Sequence, residues 1–315
     1  MSSVNSTSQA LTTTVVVEDY LHGVSVEAFL IRHFRNYTIW RVQRLVMAGC
    51  VTINDMRTGR FRRVRRGDRV TIRLVEPPDK LHKPEDMNLE IVYEDPWFIV
   101  VNKPVNIAAH PVGLIQSGTL VNGLQAYLDQ KSKLRGLVRP GIVHRLDRMT
   151  TGLMVTTKDH NGHRLISADF EHGNISKSYL AIVHGVVEND SGTIDRPVGP
   201  RPGSILMTTE SGARWYKDAT TDYRVLERFK DRTLVHVVPK TGRVHQIRVH
   251  FSSVGHPLIG DEFYGFGEPT SKRPGNARHA LHAAVLSFTH PMLKRRMVFR
   301  SELPPDMRAM LPAPH

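Results

Sequence analysis

The chain predicts an α+β fold, on three observations. Several short runs alternate apolar and polar residues, as half-buried strands do. Other segments repeat their apolar residues at three and four, the signature of one helix face. A proline-rich polar stretch from Glu76 to about Asn88 divides the sequence into a smaller basic part and a larger part. With 315 residues, 40% of them hydrophobic, the chain is long enough for two domains with buried cores. The expected organisation is a disordered Ser/Thr-rich tail at 1–14, a basic module at 15–75, a linker at 76–88 and a main domain at 89–312.

The charge balance is 43 Lys+Arg against 30 Asp+Glu, a formal net charge of +13. So basic a globular chain favours a polyanionic partner, nucleic acid first and an anionic membrane surface second. No apolar run approaches the ~18 residues that cross a bilayer, and the N-terminus lacks a charged-then-apolar signal pattern. The single Cys50 excludes an internal disulfide framework and fits a reducing compartment. These features point to a soluble cytoplasmic protein with no membrane partner.

Between Tyr20 and Val75 there are twelve arginines, no lysine and three acids, Glu27, Asp55 and Asp68. Val26, Phe29, Leu30 and His33-Phe34 mark one short helix, and Val42, Leu45 and Val46 a second that Gly49 stops. Val51-Thr-Ile53 and Arg69-Val-Thr-Ile-Arg73 alternate as strands, joined by the arginine-rich Arg57 to Arg66. Arg41-Val-Gln-Arg-Leu-Val-Met-Ala-Gly-Cys-Val-Thr-Ile-Asn54 and Arg66-Gly-Asp-Arg-Val resemble the RNA-binding domain of ribosomal protein S-four. Asp55 departs from the glycine common there, a change a turn tolerates. The resemblance implies RNA contacts from Arg41, Arg44, Arg62, Arg63, Arg65 and Arg66. Arginine suits that task because its planar fork grips phosphate and stacks on bases.

After the linker, Leu89–Asp95 and Trp97–Asn102 read as paired strands, Lys103-Pro-Val-Asn106 as a turn and Thr119–Leu128 as a helix. Lys131–Pro140 reads as a basic loop. It leads into Gly141-Ile-Val-His-Arg-Leu-Asp-Arg-Met-Thr-Thr-Gly-Leu-Met-Val155, where two buried strand ends bracket a charged loop. A loop so held can aim a reactive group. Asp147 lies between Arg145 and Arg148, whose charge favours the ionised carboxylate and makes it available as a nucleophile. The plain alternative is a surface turn with a solvated or capping aspartate.

His144-Arg-Leu-Asp-x-x-Thr-Thr-Gly152 resembles the catalytic motif of the RluA-type RNA pseudouridine synthases, which usually have serine in place of Thr151. Lys103-Pro-Val-Asn106 resembles the opening of that family's catalytic domain, with Asn106 replacing a glycine. Asparagine enters the left-handed region more readily than most residues, so the turn can survive. The resemblance runs from about residue 20 to 312. It implies a central mixed, mostly antiparallel β-sheet flanked by helices, with Asp147 as the catalytic carboxylate.

Two further segments bear on the site. His163–Glu171 should be a helix with Leu165, Ala168 and Phe170 inward, followed by a strand over Lys177–Gly185. A tyrosine at a strand start is ordinarily core or rim packing. Lys-x-Tyr-x-Ala-x-Val-x-Gly resembles the family's second motif, and this implies that Tyr179 lies against the target base and takes part in proton transfer. After the strand Thr233–Val238, the run His245–Val254 can be read as an alternating strand. Val244, Ile247, Phe251 and Val254 recur at three and four, and Gly255 with Pro257 stops the run, so a helix is expected. Arg248 then faces inward and needs a carboxylate partner. Thr-Gly-Arg-x-His-Gln-Ile-Arg resembles the third motif, which implies that the partner is Asp147. Gly255-His-Pro-Leu-Ile-Gly-Asp-Glu-Phe-Tyr-Gly265 matches the closing segments.

Seventeen histidines raise the question of a metal, but His245 and His250 are five apart and His279 with His282 has no companion ligand pair. No Gly-rich phosphate cradle is present either, so neither metal nor cofactor is expected. The resemblance implies isomerisation of uridine to pseudouridine in a structured RNA, with the aspartate acting at C1′ or after proton loss at C2′. Arg145 either fills the gap left by the extruded uridine or binds phosphate. His144 either holds the loop or contacts phosphate. Large-subunit ribosomal RNA is the favoured partner and transfer RNA the second; the protein is expected to be a monomer with no obligate protein partner. The alternatives are a non-catalytic RNA-binding or ribosome-assembly factor and a metal-dependent nuclease.

Overall fold

The computed structural model describes residues 11–34, 37–74, 83–131, 140–158, 160–204, 206–210, 213, 215–266 and 278–311. The basic module contains β1 (Leu11–Val16), α1 (Val26–His33), α2 (Ile39–Met47), β2 (Val51–Ile53), β3 (Met56–Arg57) and β4 (Arg69–Leu74). Ser25 caps α1 by accepting the Ala28 N–H at 3.2 Å, and Thr38 does the same for Arg41 at the start of α2. Gly49, at φ +70°, ends α2 as expected. Strands run antiparallel in the order β1-β4-β2-β3. Phe29, Leu30, Val42, Val46, Val51 and Ile72 meet in the module's core. Asp55 takes φ +66° in the β2–β3 turn, a left-handed conformation that glycine adopts freely and aspartate tolerates.

Two expectations are corrected here. Residues 11–14 were expected in a disordered tail but form the first part of β1, with Thr14 opposite Thr71 and their hydroxyls 2.8 Å apart. Threonine is β-branched and fits an edge strand, which its polar composition concealed. Residues 1–10 lie outside the described residues. The linker is also shorter than expected. Positions 75–82 lie outside the described residues, but the Glu85 carboxylate accepts from Gly118 N–H at 2.9 Å and the Lys83 carbonyl accepts from the Asn122 side chain at 2.8 Å. Proline-rich polar composition signals irregular backbone; here that backbone is docked.

The main domain continues with β5 (Glu90–Glu94), β6 (Phe98–Lys103), α3 (Leu120–Lys131), β7 (Gly141–Ile142), β8 (Thr151–Thr157), α4 (His160–Glu171) and β9 (Ser176–His184). Then come β10 (Ser191–Asp195), β11 (Gly199–Pro200), β12 (Met207–Thr208), β13 (Thr220–Arg228), β14 (Arg232–Pro239), α5 (Gln246–Ser253), β15 (Leu281–Thr289), β16 (Arg296–Arg300) and α6 (Pro305–Arg308). The basic loop expected at 131–140 falls on 132–139, outside the described residues, as does residue 312.

One sheet organises this part, in the order β10-β13-β14-β9-β15-β8-β6-β5, with β16 beside β15 and β7 beside β8. It is mixed as expected, because β8 and β15 pair in parallel while its other pairings are antiparallel. Every residue of β8 is buried. Ile99, Val101, Met154, Ala181 and Val237 face α3 and α5 through Leu124, Ile247 and Phe251. Phe98, Val100, Leu153 and Val155 face the other way, onto Ile166 of α4. On α4 the buried residues are Gly162 and Ile166, where Leu165 and Ala168 were expected; those two are half-buried. Its inward row is Gly162, Ile166 and Phe170, spaced by four. No helix among the described residues is long and apolar enough to cross a membrane.

Candidate active site

The charged loop between β7 and β8 is anchored from several sides. Thr150 N–H donates to the Asp147 carbonyl at 3.0 Å, closing a turn. The Thr150 hydroxyl is hydrogen-bonded to His279 at 2.7 Å and the Thr151 hydroxyl to His282 at 2.8 Å. A serine hydroxyl could make the latter bond, which explains why threonine is tolerated there. Gly152 has φ +115°, and a Cβ on it would fall 2.3 Å from the Ala283 carbonyl oxygen, so only glycine lets β8 and β15 meet. Lys103, fully buried, donates to the carbonyls of Pro104, Ile107 and Arg148 at 2.8, 2.9 and 3.2 Å. It thereby ties the β6 turn to the residue after Asp147. Asn106 occupies that turn at φ +64°.

Asp147 meets Arg248 of α5 across 101 residues of chain, with Arg248 Nη1 donating to Asp147 Oδ2 at 2.9 Å. Arg248 is 4% exposed and also donates from Nε and Nη2 to the fully buried Asp261 carboxylate, at 2.7 and 2.8 Å. Asp261 also accepts the backbone N–H groups of Phe263 and Tyr264. Burial works to raise the Asp147 pKa, but the positive charge that His245 and Arg248 can present outweighs it, and the carboxyl sits below its ordinary value. His245 Nε2 lies 3.8 Å from Asp147 Oδ2, and burial lowers the pKa of that histidine, so at neutral pH Arg248 is the dominant cation. The Arg248 pKa is itself raised by its two carboxylates against the pull of burial.

Asp147 and Arg248 line a cleft of about 840 Å³ together with Tyr179, Arg145, Lys177 and Arg243. Tyr179 is 8% exposed, and burial with the nearby Asp147 charge raises its pKa, so its hydroxyl keeps its proton at neutral pH. Arg145 is exposed at the cleft. His144 also lines the cleft, with its ring engaged within the protein. Its ring stacks on Phe170 at 4.5 Å and its Nε2 accepts the Val155 N–H at 3.0 Å, while burial lowers its pKa to about 3. It holds the loop. In the basic module Arg62, Arg63, Arg65 and Arg66 are exposed, Arg66 pairing with Asp19 at 2.7 Å, while Arg41 stacks 3.5 Å over the Tyr37 ring. The Arg44 side chain lies outside the described ones.

Sequence reasoning missed Asp261, His245 and Tyr264 as parts of this constellation. Asp261 carried a usable signal, since an inward arginine demands full carboxylate pairing and Gly260-Asp261 lies thirteen residues on. His245 carried none: it is the left-handed residue at the start of α5, at φ +54°, and its Nδ1 is hydrogen-bonded to the Tyr264 hydroxyl at 2.9 Å.

The family model described as RNA pseudouridylate synthase matches residues 97–253, which contain Asp147, Tyr179 and Arg248. An uncharacterized RNA pseudouridine synthase of Bacillus subtilis, YlyB, is 38% identical over 288 residues, covering 91% of this chain and 92% of the relative. The chain belongs to the RNA pseudouridine synthases. Within this family, ribosomal large subunit pseudouridine synthase D of Nitrosomonas europaea is 36% identical, covering 95% of this chain and 87% of that protein. The resemblance to the RluA-type synthases read from the three motifs is thus correct. Among solved structures, human RNA pseudouridylate synthase domain containing 1 aligns with a TM-score of 0.59 at 27% identity, over 70% of this synthase and 87% of that chain.

Proposed function

We propose that this synthase isomerises specific uridines in large-subunit ribosomal RNA, with Asp147 as its reactive carboxylate. One observation carries the assignment of roles: Asp147 is held through Oδ2 alone, leaving Oδ1 without a hydrogen-bond partner among the described residues in a cleft that Tyr179 also lines. The reaction breaks the C1′–N1 bond, forms a C1′–C5 bond, releases the C5 proton and returns a proton to N1. Atoms and electrons balance without a cofactor. Attack at C1′ and proton removal at C2′ both begin from an ionised, aimed oxygen, which is the state Arg248 maintains. Tyr179 offers a ring for the base and a protonated hydroxyl for proton transfer. Arg145 at the cleft mouth either replaces the extruded uridine in its stack or grips phosphate; extrusion costs a few kcal/mol that such contacts offset.

The relatives named for the ribosomal large subunit support ribosomal over transfer RNA as the substrate class. The basic module adds affinity through its exposed arginines, and the reading includes a monomer acting in the cytoplasm. The test is tritium release from a large-subunit ribosomal transcript labelled at uridine C5, with a transfer-RNA transcript as the second arm. Release from the ribosomal transcript, abolished in Asp147→Asn, is expected. Salt-sensitive binding without release from either RNA would instead describe an RNA-binding factor that keeps the fold.

A further inference from the structure

Phe61 is 70% exposed and sits at φ +64° in the arginine-rich segment between β3 and β4. The other non-glycine described residues at positive φ are Asn54, Asp55, Asn106, His245 and Lys294, so Phe61 is the one apolar side chain in that region. A bulky residue there is strained, and strain persists only where surroundings over-determine it. The surroundings are unusually specific. The Phe61 N–H donates to both carboxylate oxygens of Glu27, at 3.0 and 3.2 Å, and Glu27 is 3% exposed in the first turn of α1. On the other side, the Arg62 carbonyl accepts the Val26 N–H at 2.7 Å, and Arg63 Nη1 donates to the Gly23 carbonyl at 2.6 Å. A buried acid and two backbone anchors therefore fix the loop while turning its ring outward.

An apolar ring in water contributes little to folding, and this one lies among charges. The Arg60 guanidinium rests 4.7 Å over it, and Arg57, Arg62, Arg65 and Arg66 are exposed in the same segment. A flat π-face flanked by guanidiniums matches one ligand chemistry: a base lying on the ring with its neighbouring phosphates on the arginines. A base stacked inside a duplex does not offer its face, so the base must be unpaired.

We infer that Phe61 is a stacking platform for an unpaired base of the RNA, placed outside the catalytic cleft. The inference rests on the reading that this chain acts on RNA. The test uses the full chain and two labelled RNA hairpins whose loops are closed by a non-nucleotide linker, one blunt and one with a single-stranded uridine tail carrying one 2-aminopurine. Phe61→Ala should weaken binding of the tailed hairpin by several-fold to about a hundredfold, and leave the blunt hairpin unaffected. Phe61→Trp should retain affinity. Quenching of 2-aminopurine on binding should occur with the wild type and Phe61→Trp and vanish in Phe61→Ala. The dependence of affinity on salt should stay unchanged in Phe61→Ala and flatten in Arg62→Ala. Equal loss on both hairpins, or unchanged binding and quenching in Phe61→Ala, would overturn the platform while leaving the RNA reading intact. Unchanged RNA binding with lost sedimentation on ribosomal particles would assign the ring to a protein surface, overturning it as well. Failure of the wild type to bind either RNA would remove both readings.

Discussion

Arg248 gives Asp147 one hydrogen bond and gives Asp261 two. The division is unequal in exposure as well, since the Asp261 side chain is fully buried and that of Asp147 is 21% exposed. Asp261 takes the bidentate grip that neutralises a buried guanidinium, and Asp147 keeps one oxygen without a hydrogen-bond partner among the described residues. Removing Asp261 strands Arg248 and should draw Asp147 into its place. Asp261→Ala should therefore cost about 3–5 kcal/mol of stability in urea unfolding, and lower kcat with KM nearly unchanged. Unchanged unfolding and unchanged turnover together would refute this division of labour.

Asp147→Asn keeps the shape of the loop and removes the charge. Turnover should fall on the order of a thousandfold or more, while RNA affinity measured by filter binding stays within a few-fold of wild type. Residual turnover above a tenth would show that another group carries the reaction.

Tyr179 separates ring from hydroxyl. Tyr179→Phe retains the platform and should lower kcat by roughly 10²–10⁴-fold, with KM little changed, whereas Tyr179→Leu should impair both. Because burial and Asp147 hold the phenol protonated, the rate should show no loss from tyrosine ionisation up to pH 10. A falling limb that disappears in Tyr179→Phe would contradict this.

Burial, followed by the charge of Arg278, depresses the Lys103 pKa to about 7, with Asp147 opposing. Above that value the folded protein holds fewer protons than the unfolded chain, whose lysine titrates near 10.5. Stability from this group should therefore rise with pH between about 7 and 10.5, and its charged-state penalty should be fully present below 7. Lys103→Met should abolish that rise when unfolding is followed across the same pH range. An identical slope in the variant would remove Lys103 as its source.

Much of this was legible in the sequence because the informative residues carry strong local signals. Buried β8 reads directly from Leu153-Met154-Val155, and the three- and four-residue spacing of Ile247, Phe251 and Val254 distinguished α5 from a strand. Other elements gave little signal. β13 runs Thr-Thr-Asp-Tyr-Arg-Val-Leu-Glu-Arg with mostly partly buried or exposed residues, so alternation never develops. β1 was hidden because its threonines resemble tail composition. Motif likeness pointed to the Asp147–Arg248 pairing and left Asp261 unmarked, although an inward Arg248 called for a second carboxylate. His144 shows the converse: a residue inside a catalytic motif whose own ring does structural work against Phe170.

Asp147, Tyr179 and Arg248 come from one loop, one strand and one helix, and Asp147 and Arg248 lie 101 residues apart in the chain. Their alignment is therefore expected late in folding, because contacts so distant along the chain close after local structure forms. In a half-folded molecule the aspartate would be ionised by solvation alone, but no guanidinium would aim it and no ring would lie beside it.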